Sequence, residues 1–429
     1  MTWFAALALS LLIIIIGVYR KLNMGLVMLA AALALLASSG DAWPTLLRTV
    51  QSTLTDRSAR VLLICVLLIG VLGNLLKQTG ALQSMIYHLE RLVGDLRLLT
   101  AALPALIGIL TVPGGAIFSA PLVEQAGGKA GLDAVRQAAA NLWFRHALYF
   151  AYPLFPSVII ASELSGLGAL TFLRYNLFPT TVALAAAYGL IFHGVSGKTG
   201  NTAFENTALT INSTAERTSS RDLAGFLISV APLLLVLLLV LLFNLSFPLA
   251  LAAGCILALA GGIPLTRGFA AVLWDRIKKM LLPGLKLDLV LVVGGIIFFK
   301  QALEQTGITG QMAGAMVNLG LPFLLLMFVF PALTGLLTGD NAAAVAIEFP
   351  LFLPLLARES ALYPAYVSFI YFSSAFGHIF TPVHPCMSIN NAYFKVKPAG
   401  VLRPLLWPAA ATLLAAWLQI VIMTLLWAN

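Results

Sequence analysis

Asp340 follows Thr338 and Gly339 and precedes Asn341 inside a run that is otherwise almost wholly apolar between positions 322 and 356. A carboxylate at membrane depth is costly and is therefore either paired or used, which makes Asp340 a candidate to hold a coupling cation. It could carry a proton or, ionised, coordinate Na+, and the sequence leaves both open. Glu348, seven residues on, is either a second cation ligand or a residue facing an outer vestibule. Farther along, His378 and His384 flank a second interruption, Thr381-Pro-Val-His-Pro385, beside Ser373, Ser374, Ser388, Asn390 and Asn391. Two histidines in one broken helix suit a proton-linked role, because imidazole titrates near neutral pH.

The first half carries a related pair of interruptions. Thr111-Val-Pro-Gly-Gly115 breaks an apolar stretch at 98–125, and Pro153-Leu-Phe-Pro156 with Ser157 breaks another at 138–160. Around the latter lie Asn141, Arg145, His146, Tyr149 and Tyr152. Arg145 is the one basic residue within a span; it either pairs an anionic substrate or snorkels to the surface, and its place near the inner end of its helix favours snorkelling. Where helices stop and restart, freed N–H groups suit anions and freed carbonyls suit cations.

These matching positions reflect an internal duplication. Gln78-Thr-Gly80 recurs as Gln305-Thr-Gly307, and Pro104-Ala-Leu with Gly108, Leu110 and Thr111 recurs as Pro331-Ala-Leu with Gly335, Leu337 and Thr338, each 227 positions on; the proline pairs 153/156 and 382/385 are 229 apart. Duplicated halves with breaks in corresponding apolar segments mark secondary transporters, whose sites lie where the breaks meet near the midplane.

Composition places the chain in a bilayer. Its 429 residues are 60% hydrophobic and 10% charged, against roughly 45–50% apolar in soluble domains, and mean hydropathy is +0.98. Segments near 20 residues cross as helices, because each backbone polar group must be satisfied within the segment. The pattern predicts ten spans: 3–18, 24–37, 61–76, 138–160 and 170–192, then 224–245, 248–263, 287–303, 361–380 and 405–427. Two re-entrant hairpins, 98–125 and 322–356, have arms too short to span. The fold class is thus an all-α polytopic membrane protein, with repeats at 1–192 and 224–429, a cytoplasmic linker at 193–223, and broken helices at 138–160 and 361–391.

An odd number of crossings per half implies an inverted repeat. With the N-terminus outside, most of the 25 Lys and Arg residues fall in inner loops, as the positive-inside rule requires. Both termini are then outside, and the first helix is retained rather than cleaved, since Arg20 and Lys21 follow it. The net charge of +9 is dispersed, so it reads as membrane orientation and not as a nucleic-acid surface. Cys65, Cys255 and Cys386 have no metal-ligand spacing, no metal site is expected, and signatures of zinc proteases, serine hydrolases and P-loop ATPases are absent.

Five spans per half with a hairpin and then a proline-broken span, Thr-Val-Pro-Gly-Gly at one tip and Thr-Gly-Asp-Asn at the other, resemble the ion transporter superfamily. Its members include gluconate permeases, citrate and dicarboxylate carriers, arsenite pumps and some Na+/H+ antiporters; the resemblance is closest to a prokaryotic branch known by a domain-of-unknown-function label. It implies a substrate held between two tips and two broken helices, coupling to Na+ or H+, and a homodimer. Dicarboxylate carriers use Ser-Asn-Thr tips, found at neither tip here, so that cargo does not carry over.

The expectation is a secondary active transporter for a small organic anion in a prokaryotic cytoplasmic membrane, without a cofactor beyond its coupling ion and without enzymatic activity. Thr111, Pro113, Gly114, Gly115, Ser119, Ser157, Thr338, Gly339, Asn341, Thr381, His384 and Ser388 would bind the anion; Asp340, Asn341 and His378 would serve the ion. Alternatives are a cation/proton antiporter on the same scaffold and, less favoured, a membrane-embedded enzyme using His378, His384 and Asp340 on lipid substrates.

Overall fold

A computed structural model describes residues 3–20, 22–109, 115–195, 219–260, 287–308, 311, 322–381 and 384–427. All regular elements among them are helices. The first half contains α1 (Trp3–Tyr19), α2 (Met24–Ala37), α3 (Ala42–Thr55), α4 (Arg57–Gln78), α5 (Ala81–Leu92), α6 (Leu96–Ile109), α7 (Gly115–Lys129), α8 (Ala134–Ala147), α9 (Pro156–Ser165) and α10 (Ala169–Ile191). The second contains α11 (Ser219–Leu241), α12 (Phe247–Ala260), α13 (Leu287–Gln305), α14 (Phe323–Thr338), α15 (Asn341–Phe352), α16 (Tyr363–Phe380), α17 (Pro385–Phe394) and α18 (Pro398–Trp427).

The apolar runs became helices within a few residues of their expected bounds, since an apolar chain in lipid must close its own hydrogen bonds. Among the described helices, only α4, α11 and α18 are long and apolar enough to cross alone, while α9 and α10 form one pair bent by 120°. Most other members are shorter. At about 1.5 Å per residue, the 14 residues of α2 cannot cover a core near 30 Å. Length is lost where proline and glycine interrupt the chain at depth, at 151–155, at 339–340 and before Pro385.

Sequence reasoning did not foresee α3 and α5, which are amphipathic. In α5, Leu82, Met85 and Ile86 are buried at helical spacing; in α3, Thr45 and Thr49 are buried while Trp43, Leu47, Val50 and Leu54 are exposed. The latter arrangement turns an apolar stripe outward, as suits a helix lying along lipid.

Packing between the halves is reciprocal. Helix α2 lies on α13 as α12 lies on α4; α7 meets α17 as α15 meets α9; α8 touches α18 as α10 touches α16. Within each half the first hairpin arm packs on the helix before the break, α6 on α8 and α14 on α16. Both contacts hinge on a repeated glycine. A Cβ on Gly108 would stand 2.4 Å from the Arg145 carbonyl oxygen, and one on Gly335 would stand 2.0 Å from that of Ser374. The offsets of 227 between the glycines and 229 between their partners are those of the sequence repeat.

A half-buried ion pair ties α4 to α13. Asp56 caps α4 by accepting from the Ala59 N–H at 3.1 Å and also receives Lys300 Nζ at 3.2 Å and Gln301 Nε2 at 2.8 Å. Burial pushes this carboxyl up, but the Lys300 charge and the Ala59, Lys300 and Gln301 donors outweigh it and hold Asp56 below the usual range. A depressed carboxyl stabilises the fold above its unfolded value near 4 and loses that contribution as pH falls through its folded value. Asp56→Asn retains a capping side chain yet removes the carboxylate paired with Lys300, at a cost of about 1 kcal/mol at neutral pH. The melting-temperature gap to wild type should narrow as pH falls below about 4; a gap independent of pH would show that the charge is immaterial.

Candidate functional site

The second tip is built by Gly339, whose φ of 63° ends α14, a left-handed conformation that glycine adopts without a Cβ penalty. Its N–H reaches the Gly335 carbonyl at 3.1 Å. Asp340 then turns extended and caps α15, accepting from the Ala343 N–H at 2.9 Å. Thr338 Oγ1 donates to the Asp340 carbonyl at 3.1 Å. Asp340 itself is exposed, whereas Thr338, Gly339 and Asn341 are buried.

From Asn341 a one-way hydrogen-bond relay crosses between the halves. Asn341 Nδ2 donates to Ser157 Oγ at 3.1 Å, Ser157 bonds the Tyr371 hydroxyl at 2.8 Å, and that hydroxyl donates to the Tyr149 carbonyl at 2.8 Å. Since Tyr371 spends its proton on a carbonyl, Ser157 must donate to it. Ser374 Oγ closes the set by donating to Asn341 Oδ1 at 3.3 Å. Ser157 opens α9 directly after Pro156, at the first helical turn where proline costs no hydrogen bond. The first break thus presents Ser157 and Tyr149 to the second tip.

Two further clusters flank the relay. His146 Nε2 lies 2.9 Å from His384 Nε2, and His384 Nδ1 lies 3.3 Å from the Gly339 carbonyl. The His378 ring stands across that of His384, with centroids 4.2 Å apart. On the other side Asn141 Nδ2 donates to Asn390 Oδ1 at 2.7 Å, while Asn390 Nδ2 donates to the Ala138 carbonyl at 2.9 Å. Glu348, on α15, is wholly buried, and neither of its carboxylate oxygens has a well-formed hydrogen bond. It faces the interior and not a vestibule.

Of the sequence-predicted residues, the structure joins Ser157, Asn341, Gly339, His378 and His384 in this region, with Thr338 and Asp340 at the tip. Ser119 and Thr381 are fully buried on α7 and at the second break. Ser388 is exposed on α17 and takes no part in the relay or the histidine cluster. Thr111, Pro113 and Gly114 lie outside the described residues, while Gly115 is the first residue of α7. Arg145 corrects the snorkelling expectation: it is only 4% exposed and bonds Tyr149, because α8 packs against α6, α7, α10, α17 and α18.

Tyr371 was missed. Its signal was the spacing Tyr371, Ser374, His378, at i, i+3 and i+7 on one helical face, within a segment read only as generally polar. His146 was noted beside the first break, but its meeting with the two later histidines spans 238 positions.

A family described as "Protein of unknown function (DUF401)" matches residues 4–423, and the chain belongs to that family. Among solved structures it is similar to the Alcanivorax borkumensis YdaH transporter, whose topology is described as unusual, at 16% identity and a TM-score of 0.61, covering 94% of this chain and 97% of that one. The likeness establishes the fold, a helical membrane architecture. No curated protein matches this sequence.

Proposed function

We propose that this chain is a secondary active transporter of the cytoplasmic membrane that moves a small organic anion with Na+ or H+ by alternating access. The relay Asn341–Ser157–Tyr371–Tyr149 carries the reading: a hairpin tip in one half and a helix break in the other share hydrogen bonds within apolar surroundings. Such buried polar constellations between interrupted helices hold substrates in transporters. Arg145, buried beside the first break, adds the positive charge an anion needs.

On this reading the halves form an inverted repeat, which the reciprocal packing and the paired glycines support, and the two tips face each other across the site. Backbone N–H groups at Gly114, Gly115 and the second tip hold the anion. Asp340, with Asn341 and His378, and Glu348 beyond them, serve the coupling ion. Two copies assemble through their lipid-facing helices, with both termini of each outside.

Proteoliposomes loaded with candidate sugar acids, carboxylates and oxyanions, under an imposed Na+ or pH gradient, test the proposal. Gradient-driven anion uptake supports it; ion exchange without any anion favours the cation/proton antiporter, a reading that the buried Glu348 encourages. Chemical turnover of lipid without a gradient would favour the enzyme. Asp340→Asn is expected to abolish coupling with melting unchanged, since asparagine caps a helix as well as aspartate does. Wild-type uptake with wild-type ion dependence would remove Asp340 from the mechanism.

A further inference from the structure

His146 on α8, His378 near the end of α16 and His384 before α17 meet in one cluster. Contacts at their outer nitrogens decide what the inner ones can bind. Nδ1 of His146 faces the Leu142 carbonyl, and Nδ1 of His384 faces the Gly339 carbonyl. A carbonyl can only accept, so both Nδ1 atoms carry the ring proton, and each neutral ring then turns a bare lone pair outward at Nε2. Those two Nε2 atoms are 2.9 Å apart. Two lone pairs at that separation repel unless a cation lies between them.

His378 supplies a third donor. One ring nitrogen from each histidine falls within 4.8 Å of the others, His378 Nδ1 has no hydrogen-bond partner, and the three residues are at most 4% exposed. We propose that His146, His378 and His384 form a three-nitrogen site for a divalent transition-metal cation of the zinc class, with a fourth coordination position open. Zinc–nitrogen bonds of about 2.0–2.1 Å in tetrahedral geometry set the nitrogens roughly 3.3 Å apart. The present spacings bracket that value, so imidazole rotations of about an ångström complete the site. Nδ1–H groups held by backbone carbonyls are the outer contacts that orient ligating histidines.

The surrounding charge suits a metal that also takes an anion. Asp340 and Arg145 both act on His384: the carboxylate favours the cation, while the guanidinium opposes it and favours an anionic oxygen at the open position, which would offset the repulsion. Imidazole ligands select zinc, copper and nickel over the hard ions Na+ and Mg2+. The site shares His378 with the coupling-ion residues proposed above but selects a different class of ion, and it stands whether or not the chain transports. Its ligands lie up to 238 positions apart, His146 to His384, which is why no metal-binding spacing is visible in the sequence.

The experiment is metal titration of the purified full-length chain, stripped with a chelator, using Zn2+ and, as a spectroscopic probe, Co2+. Expected are one equivalent bound with low-micromolar or tighter affinity, a tetrahedral Co2+ visible spectrum, a raised melting temperature with Zn2+ and none with Mg2+. His146→Gln and His384→Gln should each weaken binding at least about tenfold, whereas His88→Gln and His193→Gln should not. X-ray absorption of the zinc-loaded wild type, which needs no variant, should show imidazole nitrogens around the metal. Absence of saturable binding, retention of affinity in both His146→Gln and His384→Gln, or an absorption spectrum without imidazole ligands overturns the site and leaves a shared proton as what joins the two Nε2 atoms.

Discussion

Glu348→Gln is expected to reduce ion-coupled uptake in proteoliposomes at least about a hundredfold while leaving the melting temperature unchanged or higher. The carboxylate is fully buried, and neither oxygen has a well-formed hydrogen bond; the Ser374 hydroxyl beside it has a single proton, for which Asn341 Oδ1 and the Tyr371 carbonyl compete. An ionised group so placed costs several kcal/mol, which a neutral side chain of the same shape avoids. Stability therefore gives no reason for the glutamate, and a cation that visits the site does. Loss of transport with retained or improved melting is the signature of a functional group kept at the expense of stability. Unchanged uptake and ion dependence would sink the assignment, and a lowered melting temperature would make Glu348 a structural carboxylate instead.

Gly335→Ala and Gly377→Ala are expected to destabilise the protein by about 3 kcal/mol or more, at or beyond the upper end of ordinary overpacking. A Cβ on Gly335 would stand 2.0 Å from the Ser374 carbonyl oxygen, and one on Gly377 would stand 1.8 Å from that of Ala332. Backbone cannot yield as a flexible side chain can, so α14 and α16 must separate and give up their contact. Small residues at such crossings are how membrane helices associate closely. Gly108→Ala should show the same effect in the first half, where it meets the Arg145 carbonyl. Gly294→Ala, with nothing within 4 Å of its Cβ position, should leave melting unaffected. Similar behaviour of Gly335→Ala and Gly294→Ala would refute the close-packing account.

Much of this arrangement is legible in the residues. Apolar runs at 24–37, 170–192 and 287–303 became α2, α10 and α13 within two residues, because lipid leaves a chain of that composition no alternative to the helix. The Thr338–Asn341 interruption became a turn because Gly339 and the Asp340 cap enforce it. Even the glycine contacts are foreshadowed, since Gly108 and Gly335 belong to the repeated Pro-Ala-Leu segments. What escaped was of two kinds. Helices α3 and α5 have mixed composition, and a search for unbroken apolar runs passes over an amphipathic stripe. The destination of Arg145, the engagement of Tyr371 and the meeting of three histidines depend on helices that pack from different halves, and no local pattern encodes that meeting.

The glycine clasps also limit how the molecule can move. Where Gly108 lies against the Arg145 carbonyl and Gly335 against that of Ser374, the nearest facing atom is a backbone oxygen that cannot swing aside as a side chain can, and sliding along the helix would bring a residue with a Cβ against it. Each hairpin arm must therefore travel with its partner helix as a single stiff lever. Displacement has to be taken up at junctions lacking such clasps, so paired spin labels should register constant separations across α6–α8 and α14–α16 and varying ones elsewhere.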